Sequence, residues 1–496
     1  MSILLRFTVL AGAVLFIQSG TYAQSRTANW IFGEGYHINY TDGEPEVLPF
    51  IDGFRSSEGA ACISDTSGSL LFYSNTIRVW NANFQPLWNS DTLPAIASPP
   101  SSSKTNGSLF LPWPGDSSDR YFAFFQMNDL DNRLYCSKID RTLDGGLGGI
   151  LDEFKNVLVW DEPICEQLQA VKHGNGRDWW IIARKFPTPS DQITLVLLNQ
   201  EGFQEREFQG AGFVGGGGGE FVASSDGSKI ALATTNSCFP APPTIAMYDF
   251  DRCSGQLTLV DTMLTRVCGN LCYGLAFSPS GKYLYYSTAD KIALYQIGIS
   301  DSRLYGTLLL RLGGPSFFLF RGGQLESNSN GEILFSFKRE VLSAGIDGLS
   351  NHLAVIRHPE LEGLSCYVDT FGIYLNGREN STFSLPNFAN YDLGPLVGSP
   401  CDTLSQQDTT QTGLHHSPLQ NLSWSINPSI SSGSFTVTGG PASWLIVHDL
   451  YGREVLRQWH EGSTPFDLTA KAAGFYLVYL RAADGTQTLP RKIVKQ

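Results

Sequence analysis

Basic residues are scarce in this chain. It has 34 Lys and Arg against 47 Asp and Glu, which gives a formal net charge of -13 and a pI near 5.1. Association with phosphate groups needs clustered cations, so this balance argues against a nucleic-acid partner or an anionic membrane surface. An acidic, solvated surface is the simplest interpretation of the excess of carboxylates.

The short motifs of common catalytic sites are missing as well. The chain has no G-x-S-x-G elbow and no H-E-x-x-H pair, and its five-glycine run at 215–219 lacks the Lys-Ser/Thr of a phosphate-binding loop. Cys268 and Cys272 have a spacing compatible with metal ligands, but no second Cys or His pair accompanies them. We therefore predict no catalytic residues, no cofactor and no metal site.

Long hydrophobic runs are absent after the N-terminus. The apolar stretch from Phe7 to Ile17 is about eleven residues, short of the roughly twenty that a spanning helix needs. Small residues at Thr21 and Ala23 suit signal peptidase. These features predict a signal peptide over residues 1–23, export, and no transmembrane segment in the mature protein.

Segments with helical periodicity are also lacking, and a repeated strand pattern is present instead. A polar-x-x-Gly turn followed by a hydrophobic strand recurs six times, about fifty residues apart. A period in this range, with turn chemistry at a fixed place, is typical of propeller blades or a solenoid. The copies open at Ser64, Pro114, Lys172, Ser224, Ser278 and Ser327.

Each repeat divides into four short strands, and two partial repeats remain at the ends. The segment from Asn29 to Leu48 has outer strands without an inner one, whereas Ser381–Asp392 has an inner strand alone. Hydrogen bonds between these two segments would close a ring, which leaves only short sheet edges. The sequence thus predicts an all-β fold with a seven-bladed β-propeller over residues 24–401, six or eight blades being the alternatives.

The last ninety-odd residues differ in composition from the repeats. Residues 402–422 are rich in Thr, Gln and Ser and contain no strand-length apolar run, which indicates a linker. Residues 423–496 contain short strands separated by turns, which predicts a small Ig-like β-sandwich.

This C-terminal unit contains a series of short motifs, namely Asn427-Pro428, Gly433, Phe435, Leu445, Val447, Asp449, Gly452-Arg453, Asp467-Leu468, Gly474-Phe475-Tyr476 and Lys492-Ile493-Val494. In these motifs, over about seventy residues, the unit resembles the type A sorting domain of type IX secretion substrates. The resemblance implies a Gram-negative exporter that moves the protein across the outer membrane, with the type IX machinery as a partner. The cargo would then be secreted or held at the cell surface.

The repeat region also contains characteristic segments, namely Asn29-Trp30, Ser57-Glu58-Gly59, Val79-Trp80-Asn81, His173-Gly174-Asn175-Gly176, Asp249-Phe250-Asp251 and Phe277-Ser278-Pro279. In these segments it is similar to the WD40-like propellers found on such cargo. The similarity spans most of residues 29–392 and implies the fold, but it implies no activity, because propellers host many unrelated functions.

Three glutamates fall near the start of predicted inner strands. Aligned on the polar residue that opens each turn, Glu58 and Glu166 occupy the same position and Glu220 lies two residues closer to the turn. Such side chains should face one end of a propeller channel, where they could bind a cation or a hydroxylated ligand or act as an acid/base pair. The alternative is that they cap backbone amides or are simply solvated.

Two tryptophans in proline-containing loops are further ligand-binding candidates. Trp88 and Trp113 lie near Pro86, Pro112 and Pro114, and an exposed indole can stack on a sugar ring or a partner peptide.

Nine cysteines in an exported chain indicate some disulfides, although their connectivity cannot be deduced from sequence. Cys238, Cys253, Cys268 and Cys272 lie within one repeat length and could pair among themselves. Cys366 and Cys401 flank the end of the repeat region and could pin its closure.

Together these features predict a non-enzymatic, secreted or cell-surface propeller that binds an extracellular protein or glycan. The alternative is an extracellular hydrolase or lyase that uses carboxylates at the channel mouth.

Overall fold

The computed structural model divides the chain into two compact units, Met1–Cys401 and Asp402–Gln496. It describes residues 25–91, 93, 104–128, 130–186, 190–235, 244–264, 272–288, 292–299, 306–312, 320–339, 351–377, 382–402, 424–440, 442–449, 454–481 and 491–496. The predicted signal peptide, nearly all of the predicted linker, and Cys238, Cys268, Gly452 and Arg453 lie outside these residues.

The first unit begins with three sheets formed by consecutive strands. The first sheet contains β1 (Asn29–Phe32), β2 (Tyr36–Asn39) and β3 (Glu46–Leu48). The second contains β4 (Gly59–Ser64), β5 (Leu70–Ser74) and β6 (Val79–Asn81). The third contains β7 (Ser108–Pro112), β8 (Tyr121–Met127), β9 (Leu134–Asp140), β10 (Gly149–Ile150) and β11 (Val157–Trp160).

Four sheets of four antiparallel strands follow. They are β12 (Ile164–Lys172), β13 (Trp179–Lys185), β14 (Ser190–Asn199) and β15 (Gly202–Gly215); β16 (Phe221–Ala223), β17 (Lys229–Thr234), β18 (Thr244–Phe250) and β19 (Leu257–Leu264); β20 (Cys272–Phe277), β21 (Tyr283–Thr288), β22 (Ile292–Gly298) and β23 (Gly306–Leu312); and β24 (Phe320–Ser327), β25 (Ile333–Arg339), β26 (His352–Ile356) and β27 (Val368–Tyr374). The short β28 (Leu385–Pro386) ends the series.

The helices found in the described residues are four short 3-10 turns, at Ser25–Thr27, Asp144–Gly146, Asp152–Phe154 and Gly363–Cys366. The predicted all-β class is confirmed. None of the helices in this part of the chain has the length and apolar character required to cross a membrane.

The repeated turn motif explains why strands begin where they do. In the sheet that starts with β20, Ser278 N donates to Tyr283 O over 2.8 Å and Gly281 N donates to Ser278 O over 2.8 Å. Gly281 has φ +72°, a conformation that a residue with a Cβ adopts only at a cost. The strands on either side, β20 and β21, are buried on both faces, as stacked sheets require.

The first strands of successive sheets contact one another in a closed series. We call β4, β7, β12, β16, β20, β24 and the short β28 the inner strands. Each inner strand contacts the next one in chain order, and β28 contacts β4 again. The described residues therefore have no unpartnered end in this series.

The segment 382–391, which we call the closing segment, occupies the gap between β24 and β4. Leu385 and Pro386 pair in parallel with Gly59 and Ala60. Phe383 N donates to Ser57 O over 3.0 Å and Asn387 N donates to Ala60 O over 2.8 Å.

The predicted hydrogen-bonded pairing of this segment with the strand at Asn29 is wrong. Its amide donors face β4, Leu385 N donates to Gln324 Oε1, and Pro386 has no N–H to offer. The closing segment and β1 meet through side chains instead, since the Phe388 ring lies 5.4 Å from the Trp30 ring, measured between their centroids.

After the closing segment, the chain passes over the turns of two neighbouring sheets and is fixed there by a disulfide. Leu396 N donates to Gly174 O over 2.7 Å, and Arg252 Nη2 donates to Gly394 O over 2.7 Å. Cys401 is bonded to Cys253, 148 residues earlier in the chain. A covalent link across so long a loop restricts the unfolded chain.

The suggestions that Cys253 pairs within its own repeat and that Cys366 and Cys401 act together are wrong, whereas Cys238 and Cys268 lie outside the described residues. Cys366 and Cys272 are buried free thiols, and Cys366 packs in the core between the sheets of β20 and β24. Cys401 does pin the end of the unit, but its partner is a turn cysteine between β18 and β19.

The second unit contains two sheets around a single core. One sheet is formed by β29 (Trp424–Asn427), β31 (Ser434–Gly439) and β34 (Ser463–Asp467). The other is formed by β30 (Ile430–Ser431), β32 (Ser443–Asp449), β33 (Glu454–His460), β35 (Gly474–Arg481) and β36 (Arg491–Lys495). Phe435 and Val437 of the first sheet share the core with Leu445, Val478 and Ile493 of the second.

Candidate functional site

The charges of the three glutamates singled out from sequence all act on one buried tyrosine. Burial, followed by the charges of Glu58, Glu166 and Glu220, holds the pKa of Tyr273, at the start of β20, well above the usual range. These four residues lie on four inner strands or at their entrances. Sequence reasoning did not select Tyr273.

A small hydrogen-bond network surrounds Tyr273. Thr105 Oγ1 donates to Glu166 Oε2 over 3.1 Å and lies 3.2 Å from the Tyr273 hydroxyl. Gln324 Nε2 donates to the carbonyl of Thr105 over 2.9 Å, and its Oε1 accepts the Leu385 amide over 2.5 Å. The network therefore ties the loop before β7 to β24 and to the closing segment.

Glu220 lies deeper than the other two glutamates and has a structural role. Its side chain is 3% exposed, and Oε2 accepts the backbone N–H of Leu275 over 2.7 Å. Burial raises the pKa of this carboxyl from 4.5 to about 8, although hydrogen bonds from Leu275, Gln324 and Leu325 partly oppose the shift. This is the amide-capping alternative that the sequence left open.

The two tryptophan candidates differ in exposure. Trp88 is 50% exposed, as expected of a residue that could stack on a ligand. Trp113 is only 6% exposed, so its predicted exposure is wrong. The Lys138 ammonium lies 3.9 Å from the Trp113 ring centroid, and the Phe154 ring packs edge-on against it. The neighbouring prolines resemble those of a loop, but tertiary packing covers the indole.

A cavity of about 240 Å³ opens at the carboxyl ends of the inner strands. Glu58 and Glu166, in contrast, stand at or near the amino ends of β4 and β12. The lining combines apolar side chains with hydroxyl, amide and carboxyl groups, as is usual for small-molecule sites. It comprises residues 222–225, 275–279, 325–329 and 388–390, with Gln169 and Gly331.

Glu326 is the acidic residue of this lining, and sequence reasoning missed it. Burial, followed by the charge of Glu220, holds the pKa of its carboxyl well above the usual range. A signal was present in the repeats, because the residue before each turn is apolar in the other copies. Those residues are Ile63, Trp113, Val171, Ala223 and Phe277, and the sixth copy alone has a carboxylate there.

These carboxyl groups do not form a metal site. Across the residues that the structure describes, no group of three or more His, Cys, Asp or Glu side chains is arranged to hold a metal ion. Because the pKa of Glu220 lies near 8, its carboxyl is largely protonated at neutral pH and can donate a hydrogen bond.

No family model matches the sequence, and no curated protein does. Solved structures similar to this chain include the periplasmic gluconolactonase of Pseudomonas aeruginosa, at 10% identity and TM-score 0.38, with 94% of this chain and 95% of that chain covered. The Cps50 (Swd1) β-propeller domain of Myceliophteria thermophila is 13% identical, with TM-score 0.35 and coverage of 63% and 93%. A protein from Lactobacillus plantarum is 10% identical, with TM-score 0.38 and coverage of 88% and 94%. The neighbours include β-propeller proteins, and at these identities no activity carries over to this chain.

Proposed function

We propose that residues 24–401 form a seven-bladed β-propeller and residues 423–496 an Ig-like β-sandwich. The first assignment is supported by the closed series of inner strands. In five sheets the inner strand is accompanied by at least three further strands, and the sheet that contains β28 and β4 adds β5 and β6. The second is supported by the three-stranded and five-stranded sheets that share one core.

We further propose that the propeller is a non-enzymatic module that binds an extracellular protein or glycan. The observation that carries this proposal is the cavity of about 240 Å³ at one end of the inner strands. A space of this size accommodates much more than one water molecule. Glu220, one of the three glutamates selected from sequence, accepts the Leu275 amide and is closed to solvent, which favours binding over catalysis.

Filling the cavity tests the binding proposal. Ala223 is half-buried in the lining, and Ala223→Phe is expected to weaken ligand binding at least tenfold by occupying the space. The measurement is calorimetry of the mature chain against a panel of extracellular saccharides and peptides. Ala473→Phe, at an exposed position of the second unit, is the matched control and should leave binding unchanged.

The rival function is an extracellular hydrolase or lyase, and the observation in its favour is that the charges of Glu58 and Glu166 both act on Tyr273. Product analysis of the same panel separates the two. If the propeller only binds its ligand, the parent protein should release no product from any member of the panel. Turnover by the parent that disappears in the Glu58→Gln, Glu166→Gln double variant would defeat the binding-only function.

We also propose that the C-terminal unit directs export by type IX secretion, on the strength of the resemblance of residues 427–494 to type A sorting domains. Deleting Trp424–Gln496 is expected to leave a folded propeller in the periplasm. The measurement is surface labelling and fractionation of cells that express either form. Parental levels of the truncated protein on the cell surface would refute the proposed role.

A further inference from the structure

The cavity at the carboxyl ends of the inner strands has a chemical bias that goes beyond its size. Most of its polar groups are already bonded to protein. Ser224 Oγ donates to Asp226 Oδ1 over 2.6 Å, Ser225 Oγ donates to Pro279 O over 2.6 Å, and Asn390 Nδ2 donates to Ser225 O over 2.5 Å. These bonds fix the rim and leave little of its hydrogen-bonding capacity for a ligand.

Two groups of the lining retain unused capacity. Glu326 Oε1 accepts one long bond, from Ser327 N over 3.2 Å, although a carboxylate offers about four acceptor positions. Ser329 Oγ is buried and has no hydrogen-bond partner. A buried hydroxyl without a partner carries a desolvation cost that a bound ligand would relieve.

The electrostatics around Glu326 are one-sided. In the described part of the chain no Lys or Arg forms an ion pair with it, and the ionisable group that influences it is Glu220, whose ionised form would repel a charge on Glu326. Lys172, at the carboxyl end of β12, donates instead to the carbonyl of Tyr391 over 2.5 Å. A cation brought by a ligand would favour the ionised form of Glu326 and complete the site, because a hydrogen bond between an ammonium and a carboxylate is about twice as strong as one between neutral groups.

The apolar part of the lining favours a ring over a chain. Phe277 and Phe388 contribute to the walls, so apolar surface faces the same space as the carboxyl and hydroxyl groups. A sugar ring has this pairing of an apolar face with a polar edge. An extended lysine side chain would bring the cation but would leave Ser329 Oγ without a partner.

Resting on the proposed binding function, we infer that this cavity takes a sugar unit with a free protonated amine, whose ammonium group binds Glu326 and whose hydroxyl group bonds Ser329. The ligand class is thus an amino sugar, either free or at the end of a glycan. The step involves no covalent chemistry.

Calorimetry of the mature chain with three probes tests this inference. Glucosamine is expected to bind at least tenfold more tightly than N-acetylglucosamine, which keeps the ring but replaces the cation with a neutral amide. It should also bind more tightly than Nα-acetyl-lysine methylamide. Glu326→Gln is expected to weaken glucosamine binding at least tenfold, whereas the exposed Glu46→Gln should have no effect.

The outcomes separate this inference from the function on which it rests. Equal binding of glucosamine and N-acetylglucosamine, or an undiminished affinity of Glu326→Gln, overturns the amine assignment. If Ala223→Phe nevertheless abolishes the binding of either sugar, the amine assignment fails but the proposed binding function stands. Preference for the lysine derivative, or no binding of glucosamine at all, also overturns the inference. Unchanged thermal unfolding of Glu326→Gln shows that a loss of binding does not come from loss of the fold.

Discussion

Glu220→Gln is expected to stabilise the protein in mildly alkaline solution, raising the free energy of unfolding at about pH 8 by up to about 4 kcal/mol. The Glu220 carboxyl is 3% exposed, and burial raises its pKa from 4.5 to about 8. A charged carboxylate is therefore costly in the folded state. The glutamine keeps an acceptor for the Leu275 amide and introduces no charge.

The sign of the pH dependence follows from proton uptake. Between pH 4.5 and about 8 the folded protein holds a proton on Glu220 that the unfolded chain has released. The free energy of unfolding therefore falls as pH rises through this window and is unaffected by this group below it. The raised pKa of Glu326 adds to the same trend.

Denaturant unfolding of parent and variant at about pH 5 and about pH 8 is the measurement. The two should be similar at the lower pH and diverge at the higher one, where the variant is more stable. Glu46→Gln, at an exposed position, serves as the control. A parent whose stability is constant or rises between the two pH values, or a variant that is less stable at about pH 8, would contradict the assignment.

Leu385→Ala is expected to lower the free energy of unfolding by about 2 to 5 kcal/mol. Leu385 is 1% exposed and lies in the closing segment, packed in the largest hydrophobic core of the first unit. Removing its side chain leaves a cavity where β4 and β24 approach this segment. Leu364→Ala is the matched control, since Leu364 is 77% exposed and should change stability by no more than about 0.5 kcal/mol.

Thermal and denaturant unfolding measure both variants. If Leu385→Ala lowers the free energy of unfolding by no more than Leu364→Ala does, the closing segment contributes little to the stability of the first unit.

The strands were predictable wherever the turn motif recurs. The sheet that starts at Cys272 is an example, since its four strands, β20 to β23, match the four short strands expected of each repeat. The motif specifies a tight turn with a glycine at positive φ, and the apolar runs on either side can only be buried strands. Local sequence is sufficient for these features.

The partner of the closing segment was not predictable in this way. Its strand has two residues, one of them Pro386, and one of its amides bonds a glutamine side chain rather than a strand. Periodicity specifies which residues form strands but does not specify the register of so short a pairing. The disulfide was not predictable for a similar reason. Cys253 and Cys401 are 148 residues apart, and nothing in the sequence between them indicates that they lie close together.

The candidate site was predicted in part. Alignment of the repeats selected Glu58, Glu166 and Glu220, whose charges all act on Tyr273. The same alignment contained Glu326, but a charge at an otherwise apolar position was given no weight. The burial of each glutamate was not predictable from sequence either. Glu166 is half-buried and Glu220 is buried, and this difference depends on how the neighbouring sheets pack.

Closure of the ring at the closing segment is the claim on which the site depends, because Phe388, Ala389 and Asn390 form one wall of the cavity. Further bonds tie this segment to β7, since Asn387 Nδ2 donates to Ser108 O over 3.2 Å and Tyr391 OH donates to Phe110 O over 2.9 Å. Its amides should therefore be released only when the whole unit opens.

Hydrogen–deuterium exchange of peptides that cover residues 382–389 in the mature chain measures this directly. We expect the amides of Phe383, Leu385 and Asn387 to exchange as slowly as those of β12, an inner strand within the ring. Exchange of these amides at the rate of an unstructured peptide, while β12 stays protected, would contradict a ring closed by this segment.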